Sequence, residues 1–449
     1  MRTVRAAWIG LVVAGLLIAL AFALPHLLDW NVHTRTRQSP APAPVTPPLH
    51  GWWEPRWWGP GTLPAVVIAL LGWRHAADLA ARLPWRRLLL TAYGVGACWL
   101  VALASVDGAD GLGRVLGYSS EYLPTARTFD LGTLDGFIDR IPVTADDNWA
   151  IHVAGHPPGA LLFFVALVRI GLGGDLAAGF VVIAIAATIP LAVLTVLRAL
   201  DAEEVARRAA PFLVLTPAAI FLAVSADAVF TAVGCWAAAA LALATRADRE
   251  RRRAALAAWG ALSGLLFGYG MFLSYGFGLL GGVALAVLLA GRSWRPVLAL
   301  IPAALAVVLA FAVAGFAWWE AYPVLVDRYW AGIASDRPAS YWWWGNLAAL
   351  LVSAGPLVGA GLAHTLASAR TAARTADRAP LLLVAGAALG VAAADVSGMS
   401  RSEVERIWLI FIPWLTVSLG LLPEGWRRWG LALQVLSAIA VQQLLYTSW

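Results

Sequence analysis

The chain has 449 residues, of which 61% are hydrophobic and only 13% are charged, and its mean hydropathy is +0.75. A soluble protein of this size could not bury so much apolar surface, so the composition excludes a soluble globular protein and predicts a polytopic membrane protein. The net charge of +6 comes from 32 basic residues, all of them arginine. They stand between apolar segments, where they set membrane topology, so the positive charge does not imply a nucleic-acid partner. Two cysteines, Cys98 and Cys235, are too few for a disulfide framework or a metal site of their own.

The first apolar segment covers residues 7–28 and is longer than the core of a usual signal peptide. No clear small-x-small cleavage site follows before Pro25, so we expect an uncleaved first helix. A Pro-rich linker, SPAPAPVTPP, comes next. It leads into the aromatic stretch HGWWEPRWWGP at residues 50–60, which is typical of a membrane interface.

Thirteen segments come close to the roughly 20 apolar residues that a membrane-spanning helix needs. They are residues 7–28, 61–81, 88–106, 176–197, 210–225, 228–245, 254–271, 273–290, 296–317, 345–365, 379–396, 407–422 and 429–446. A further stretch at 157–171 is shorter, opens with two prolines and carries Arg169.

Arginine-rich loops decide whether that stretch spans, because short basic loops are expected on the cytoplasmic side. Six such loops occur, at residues 82–87, 198–208, 246–253, 292–295, 370–378 and 427–428. If 157–171 crossed the membrane, every cluster after Arg87 would lie outside, whereas thirteen passes keep all six inside. We therefore expect 157–171 to be a short helix in the outer interface, with the N-terminus inside and the C-terminus outside.

The largest hydrophilic region, residues 107–175, then lies on the outer side. Apolar and polar residues mix at near-helical spacing through residues 120–142, which predicts amphipathic surface helices. The region is rich in groups that titrate, among them Asp107, Asp110, Glu121, Asp130, Asp135, Asp139, Asp146, Asp147, His152 and His156.

Two further positions combine charge with apolar surroundings. Asp227 stands between two apolar segments joined by almost no loop, where a carboxylate is costly unless it is paired or faces a wet cavity. A functional role and a satisfied helix cap are both open for it.

The second position is a charged cluster at the outer start of the twelfth apolar segment, formed by Arg401, Glu403, Glu405 and Arg406. A salt bridge between Arg401 and Glu405, four residues apart, is one interpretation, and forked hydrogen bonds to a lipid phosphate are the other.

The loop at residues 318–344 is rich in Trp and Tyr, which suits an interfacial belt, and some of these rings could stack on sugars. The sequence contains no Walker loop, dinucleotide-binding glycine fingerprint, HExxH motif or zinc-ligand spacing.

In this order and on this side of the membrane, the elements resemble those of the GT-C membrane glycosyltransferases. The branch of protein O-mannosyltransferases and aminoarabinose transferases is the most similar, and the resemblance covers residues 88–422. Ser120-Glu121-Tyr122 matches the acidic pair and aromatic residue of the first outer loop, and His156-Pro157-Pro158-Gly159 matches a His/Lys-Pro-Pro-Leu element. Asp227 matches a second acidic position. The chain departs from the family at Ser120, where the catalytic Asp is usual, and at Gly159, where Leu is usual.

The resemblance implies an all-α polytopic fold with about thirteen transmembrane helices and surface helices in the outer loop. Residues 1–87 would form two N-terminal transmembrane helices with a Trp/Pro-rich outer loop. Residues 88–422 would form the GT-C-like core, and residues 423–449 a C-terminal transmembrane helix.

The implied reaction is transfer of a sugar from a polyprenyl-phosphate donor to a cell-envelope glycan, lipid or protein acceptor. It would take place on the outer face of the plasma (inner) membrane. We expect Glu121 to act as general base, with Asp227 second and Asp107, Asp110, Asp146 or Asp147 as further replacements for the missing Asp. Arg401 and Arg406 are the phosphate candidates. The other predicted binding residues are Tyr122, Asp147, His156 and Glu405. A divalent metal stays open, since some members of the superfamily use one.

A transporter or flippase of a lipid-linked or envelope precursor is the main alternative. It predicts charges buried in mid-membrane, inverted repeats and broken helices. No internal repeat is visible and the charges collect on one side, which favours an enzyme. A scaffold protein, or a transferase of acyl or phospho groups, would be a further alternative.

Overall fold

The protein is predominantly helical. A computed structural model describes residues 2–34, 45–130, 132, 134–375 and 377–447, so residues 39–44 of the Pro-rich linker lie outside the described residues. The α-helices are α1 (Arg2–Leu27), α2 (Thr62–Arg82), α3 (Trp85–Ala104), α4 (Tyr122–Thr128), α5 (Ile151–Ala154), α6 (Pro158–Arg169), α7 (Asp175–Ala186), α8 (Ile189–Ala199), α9 (Glu203–Val214), α10 (Ala219–Leu222), α11 (Ala226–Arg249), α12 (Arg253–Gly270), α13 (Gly281–Gly291), α14 (Val297–Val313), α15 (Trp318–Ala331), α16 (Ala339–Ala354), α17 (Leu357–Ala372), α18 (Arg378–Ser397), α19 (Val404–Ile407), α20 (Ile412–Thr416) and α21 (Glu424–Leu444).

Short 3-10 helices connect many of these elements. They are Ser105–Asp107, Asp110–Leu112, Arg114–Gly117, Ile138–Arg140, Tyr275–Leu280, Ile333–Ser335 and Val417–Leu421. Two strands, β1 (Gly51–Trp53) and β2 (Leu445–Thr447), pair antiparallel and bring distant parts of the chain together.

Six stretches of helix in the described part of the chain are long and apolar enough to cross a membrane. They are Arg2–Leu27, Thr62–Arg82, Trp85–Asp107, Asp175–Ala199, Ala226–Arg249 and Arg378–Ser397. The number rises to eight if two bent pairs each count as one span, α14 with α15 (72°) and α16 with α17 (104°). These helices indicate a membrane protein, whereas a count of thirteen spans is not confirmed.

Two predicted spans are not continuous helices. In the segment 210–225, α9 ends at Val214 and only the four-residue α10 follows. The segment 407–422 is divided among α19, α20 and a 3-10 helix. Both are almost entirely buried inside the protein. Their apolar composition therefore reflects packing against other helices, which hydropathy alone does not distinguish from contact with lipid.

Burial separates the centre of the molecule from its rim. In α11, 83% of the most apolar stretch is buried, so this helix runs through the core. In α14 no residue is buried, and Leu298 and Val313 are 79% and 89% exposed. Such an exposed apolar face is the surface that lipid chains would cover.

The helix after His156-Pro157 agrees in length with a segment that does not span. With 12 residues, α6 is about 18 Å long, shorter than a hydrocarbon core of about 30 Å. It is more deeply packed than a surface helix, since Leu161 and Phe164 are fully buried. The amphipathic helices expected in residues 120–142 are limited to α4 and one 3-10 turn.

Candidate functional site

A cavity of about 1940 Å³ is lined by several of the charged groups that the sequence singled out, among them Asp227, Arg401 and Arg406. It exceeds the roughly 300–1,000 Å³ of a pocket for one drug-sized ligand, so two ligands have room in it. Its wall is built from helix ends and loops: the segment after β1, the turn before α4, the α5–α6 connection, the start of α11, α15, and the stretch that leads into α19.

Asp227 and Arg406 form an ion pair in the cavity wall. Asp227 lies in the first turn of α11, where the partial positive charge of the helix N-terminus favours a carboxylate. Its Oδ2 accepts a hydrogen bond of 2.9 Å from Nη1 of Arg406. Both residues are buried, at 6% and 4% exposed, yet both line the cavity. The pairing offsets the cost of a carboxylate at this depth and places it next to a space that a substrate could fill.

Glu121 lies behind this pair. It precedes α4, is 3% exposed, and is not among the residues that line the cavity. Its Oε2 lies 3.3 Å from Nδ1 of His152, and the same nitrogen lies 3.3 Å from Nη1 of Arg406. His152 lines the cavity and so stands between Glu121 and any bound ligand. From this position Glu121 orients His152 and Arg406.

Glu403 is the third carboxylate of the cluster. It lies within ion-pair distance of Arg337 (3.4 Å), Arg406 (3.6 Å) and His50 (4.0 Å). Burial acts to raise the pKa of Glu403, but the charges of His50, Arg337 and Arg406 outweigh it and hold the pKa at about 2. Ser402 and Glu403 both adopt left-handed backbone angles, with φ of 72° and 63°. This conformation turns the chain so that Arg401 and Arg406 both reach the cavity.

The same turn removes the predicted i, i+4 salt bridge between Arg401 and Glu405, because α19 begins only at Val404. Glu405 is completely buried, and its Oε1 accepts a hydrogen bond of 2.7 Å from the backbone amide of His50. Glu405 does not line the cavity, so it holds the segment before β1 in place rather than facing a ligand.

His156 lines the cavity one helical turn beyond His152. Its Nδ1 lies 2.9 Å from the carbonyl oxygen of His152, which can only accept, so this nitrogen carries the proton and Nε2 is left as an acceptor. Burial, opposed by Asp227 and aided by Arg406, lowers the pKa of His156 to about 4. A neutral imidazole at this position can accept a hydrogen bond from a ligand hydroxyl.

Tyr122 lies against the back of the cluster and does not line the cavity. Its ring stacks on Phe164 at 5.6 Å and meets His156 edge-on at 5.8 Å. Burial, with the charges of Asp227 and Glu121, raises the pKa of Tyr122 well above its usual value, so its hydroxyl stays protonated. Tyr122 therefore packs the histidines into position.

Arg401 and Arg328 form a second, cationic part of the cavity wall. No carboxylate lies within ion-pair distance of either guanidinium in the stretches that the structure describes. Arg401 stacks over Trp330 at 4.8 Å and donates to the carbonyl oxygen of Arg337 at 2.8 Å. Arg328 donates to the carbonyl oxygen of Ile141. Two arginines held by carbonyls and a ring, rather than by carboxylates, remain available to an anion.

The other predicted carboxylates lie away from the cavity wall. The Asp147 side chain is 72% exposed and pairs with Arg140 at 2.8 Å, and Asp146 is exposed as well. Asp110 is 73% exposed, and Asp107 pairs with Arg56. Among the predicted site residues, the structure thus brings together Asp227, His156, Arg401 and Arg406 on the wall, with Glu121, Tyr122 and Glu405 behind it.

Sequence reasoning did not assign His50, His152, Arg328, Arg337 or Glu403 to the site. His152 and Glu403 stood within the stretches that it singled out, so their proximity to Glu121 and Arg406 was the available signal. His50 comes from a segment 355 residues away from Glu405, and no local pattern predicts such a contact.

No group of three or more His, Cys, Asp or Glu side chains in the described ranges is arranged to hold a metal ion, so no metal ligand is assigned. No protein-family model matches the chain, and no characterised protein or solved structure is significantly similar to it. The resemblance to GT-C enzymes therefore rests on the motifs themselves and stays a prediction.

Proposed function

We propose that the protein is a glycosyltransferase that moves a sugar from a polyprenyl-phosphate donor to a cell-envelope acceptor. The observation that carries the proposal is the Asp227 carboxylate, which is paired with Arg406 in the wall of a large cavity. A carboxylate in this setting can accept the proton of a hydroxyl nucleophile or orient that hydroxyl.

In the proposed reaction the acceptor oxygen attacks the anomeric carbon while its proton passes to Asp227. Oδ2 of Asp227 accepts a hydrogen bond from Arg406, and Oδ1 would take the proton of the acceptor hydroxyl. The bond between the anomeric carbon and the phosphate oxygen breaks, and polyprenyl phosphate leaves with the negative charge. Asp227 therefore takes the role that the sequence predicted first for Glu121.

Arg401 and Arg328 would bind the phosphate. Both line the cavity without a carboxylate partner in the part of the chain described, so charge that develops on the leaving group meets donors already in place. Arg406 contributes less to phosphate binding, because its guanidinium is shared between Asp227 and Glu403.

Glu121 and His152 act as positioning residues in this scheme. The Glu121 carboxylate fixes the His152 ring, and His152 abuts the Arg406 group that orients Asp227. The carboxylates of Asp227, Glu121 and Glu403 outweigh burial and raise the pKa of Arg406, so it stays charged.

The position of the arginines supports an extracytoplasmic reaction. Asp227 is at the first turn of α11, and Arg246 and Arg249 are at its last turn. A helix of 24 residues separates these ends by about 36 Å, roughly the thickness of a bilayer core. Because basic loops favour the cytoplasm, the cavity would open on the opposite side, where sugars are carried by lipids.

The test is sugar transfer by the purified protein in lipid nanodiscs, with polyprenyl-phosphate mannose, glucose or arabinose as donor. We expect Asp227→Asn to lower the rate at least about hundredfold, in line with loss of a general base. Asp147→Asn is the matched control, because that carboxylate is exposed and off the cavity wall, and its rate should equal wild type. Full activity of Asp227→Asn would remove the assignment. Failure of the wild type with every lipid-linked donor would favour a transporter instead.

A further inference from the structure

One wall of the cavity has polar chemistry that the proposed transfer step does not use. It is formed where the segment after β1 meets β2 and the turn before α4. We call it the terminal wall and define it by six cavity-lining residues: Trp52, Glu54, Arg56, Arg114, Tyr118 and Tyr446.

Backbone pairing fixes the terminal wall. Trp52 pairs with Tyr446 in the sheet, and the strand contact continues as the amide of Glu54 donates to the carbonyl oxygen of Leu444 at 3.2 Å. The rings of Trp52 and Tyr446 stack at 4.3 Å with an angle of 21° between their planes. Gly51 is required here, because a Cβ at this position would overlap the Tyr446 carbonyl oxygen. The wall is therefore preformed rather than assembled by a ligand.

Hydroxyl and guanidinium groups of this wall are hydrogen-bonded to one another. Nη2 of Arg114 donates to the Tyr446 hydroxyl at 2.8 Å, and that hydroxyl lies 3.1 Å from the Tyr118 hydroxyl. Burial raises the pKa of Tyr446, so it is a neutral donor and acceptor at physiological pH. Nε1 of Trp52 donates to Oε2 of the Glu54 carboxylate at 2.7 Å, and Nη2 of Arg56 donates to its Oε1 at 3.2 Å.

Both guanidinium groups of the terminal wall have partners within the protein. Arg56 is paired with both Asp107 and Glu54, the latter at 3.2 Å. Arg114 is held by Tyr446 and lies 3.8 Å from Asp110. Guanidinium groups neutralised in this way favour a neutral ligand over an anion, in contrast to Arg401. Guanidinium donors, carboxylate oxygens and phenol hydroxyls lie side by side here, and each can add a hydrogen bond to a ligand hydroxyl beside its partners within the wall.

We infer that the terminal wall is the acceptor subsite and that the acceptor is a neutral, hydroxyl-rich oligosaccharide rather than a peptide or a lipid. The inference rests on the proposed glycosyl transfer. The segment that carries Trp52 also carries His50, whose backbone amide binds Glu405 and whose ring faces Glu403. An oligosaccharide on the wall would thus end close to the Asp227–Arg406 pair, and the cavity volume leaves room for the donor on the Arg401 side.

The first experiment measures binding alone, with no donor present. Three tetrasaccharides are titrated against the protein in nanodiscs: mannotetraose, maltotetraose and arabinotetraose. Binding is detected by saturation-transfer NMR, and a Ser/Thr-rich peptide is tested for comparison. We expect at least one tetrasaccharide to bind and the peptide not to bind. Tyr446→Phe keeps the ring on Trp52 but removes the hydroxyl, and it should weaken tetrasaccharide binding about tenfold.

Tyr341→Phe is the matched control. Its hydroxyl also makes a buried hydrogen bond, of 2.8 Å to the carbonyl oxygen of Ala21, but Tyr341 does not line the cavity. Tyr341→Phe loses one buried hydrogen bond, and Tyr446→Phe loses the partly buried contacts with Arg114 and Tyr118. A fall in thermal stability is therefore expected for both variants, whereas only Tyr446→Phe should lose binding. In the transfer assay, Tyr446→Phe should raise the KM for the acceptor with little change in kcat.

Absence of tetrasaccharide binding to the wild type, or equal binding by wild type and Tyr446→Phe, would overturn the inference. So would peptide binding that depends on Tyr446. Tyr446-dependent tetrasaccharide binding without transfer from any lipid-linked donor would instead count against the proposed function, and the terminal wall would stand as a carbohydrate site.

Discussion

At the scale of single residues, the site depends on carboxylates and histidines whose protonation is set by their neighbours. Glu403 has a pKa of about 2, below the 4.5 of an unperturbed glutamate, because of the cations around it. His156 has a pKa of about 4, below the usual 6.5, because burial disfavours its charged form. In both cases the unfolded chain binds the proton more readily than the folded protein, so stability falls as the pH is lowered.

The two residues act in different pH windows. The stability that neutral His156 contributes is complete above pH 6.5 and is lost as the pH falls from 6.5 to about 4. The contribution of ionised Glu403 is complete above pH 4.5 and is lost between 4.5 and about 2. We expect His156→Gln to flatten the decline in thermal midpoint between pH 6.5 and 4, measured by unfolding in detergent. Glu403→Gln should flatten only the part below 4.5, and identical profiles for both variants would contradict the assignment.

Sequence reasoning was most informative where local context restricts a residue. Asp227 was predicted because no solvated loop surrounds it, and it lies on the cavity wall. Glu121 was singled out from its motif, but motif position does not reveal that the His152 ring lies between it and the cavity. Arg337 and His50 could not be predicted, because their roles arise from contacts with residues far away in the sequence, Glu403 and Glu405.

At the scale of elements, close helix packing explains the glycine that follows His156-Pro157-Pro158. Gly159 is the second residue of α6, and a Cβ there would lie 2.6 Å from the carbonyl oxygen of Phe272. Its own carbonyl oxygen accepts a hydrogen bond of 3.0 Å from the Tyr269 hydroxyl. A larger residue such as leucine would not fit against this backbone. Gly159 thus sets how closely the His156-Pro157-Pro158 turn approaches α12.

Gly159→Ala should lower the stability by about 1–3 kcal/mol, because the backbone of residue 272 cannot yield as a side chain would. Gly94→Ala is the control, since a Cβ at Gly94 in α3 meets no atom within 4 Å. That change should leave stability equal or raise it by up to about 1 kcal/mol, because alanine favours a helix. Thermal unfolding of the two variants in the same detergent compares them directly, and equal midpoints would refute the packing argument.

Some predicted helices follow from local composition, whereas the structure of other apolar segments depends on residues that are distant in the sequence. The long apolar helices α1, α3 and α18 follow from their composition, and the structure has them. The apolar segments 210–225 and 407–422 look alike in sequence but form short buried pieces. Whether an apolar segment contacts lipid or protein depends on its neighbours in space, which composition does not specify.

At the scale of the whole molecule, topology is the property on which the proposed function depends most. The arginine clusters predict that the loop between α6 and α7 lies outside and that the loop between α11 and α12 lies inside. Gly174 and Arg252 stand in these two loops. A Cβ at Gly174 meets no atom within 4 Å, and the Arg252 side chain is 64% exposed, so both positions accept a reporter.

Cysteine labelling in intact cells tests this topology. Each cysteine is introduced singly at one of these positions, in a protein whose Cys98 and Cys235 have been replaced by serine. We expect Gly174→Cys to react with a membrane-impermeant maleimide from outside, and Arg252→Cys to react only after permeabilisation. The reverse pattern would place the cavity on the cytoplasmic side and remove the basis for a lipid-linked donor. Labelling of both positions in intact cells would contradict the predicted sidedness of these loops.

The pairing of β1 with β2 also has a consequence for biosynthesis. Residues 51–53 are synthesised early, but their strand partner, residues 445–447, leaves the ribosome only after the helices between them. Until then Trp52 lacks the Tyr446 ring on which it stacks. A nascent chain can therefore insert its helices and assemble the Asp227–Arg406 pair while one side of the cavity is still open. The terminal wall would thus be completed only after the helices between the two strands have been made.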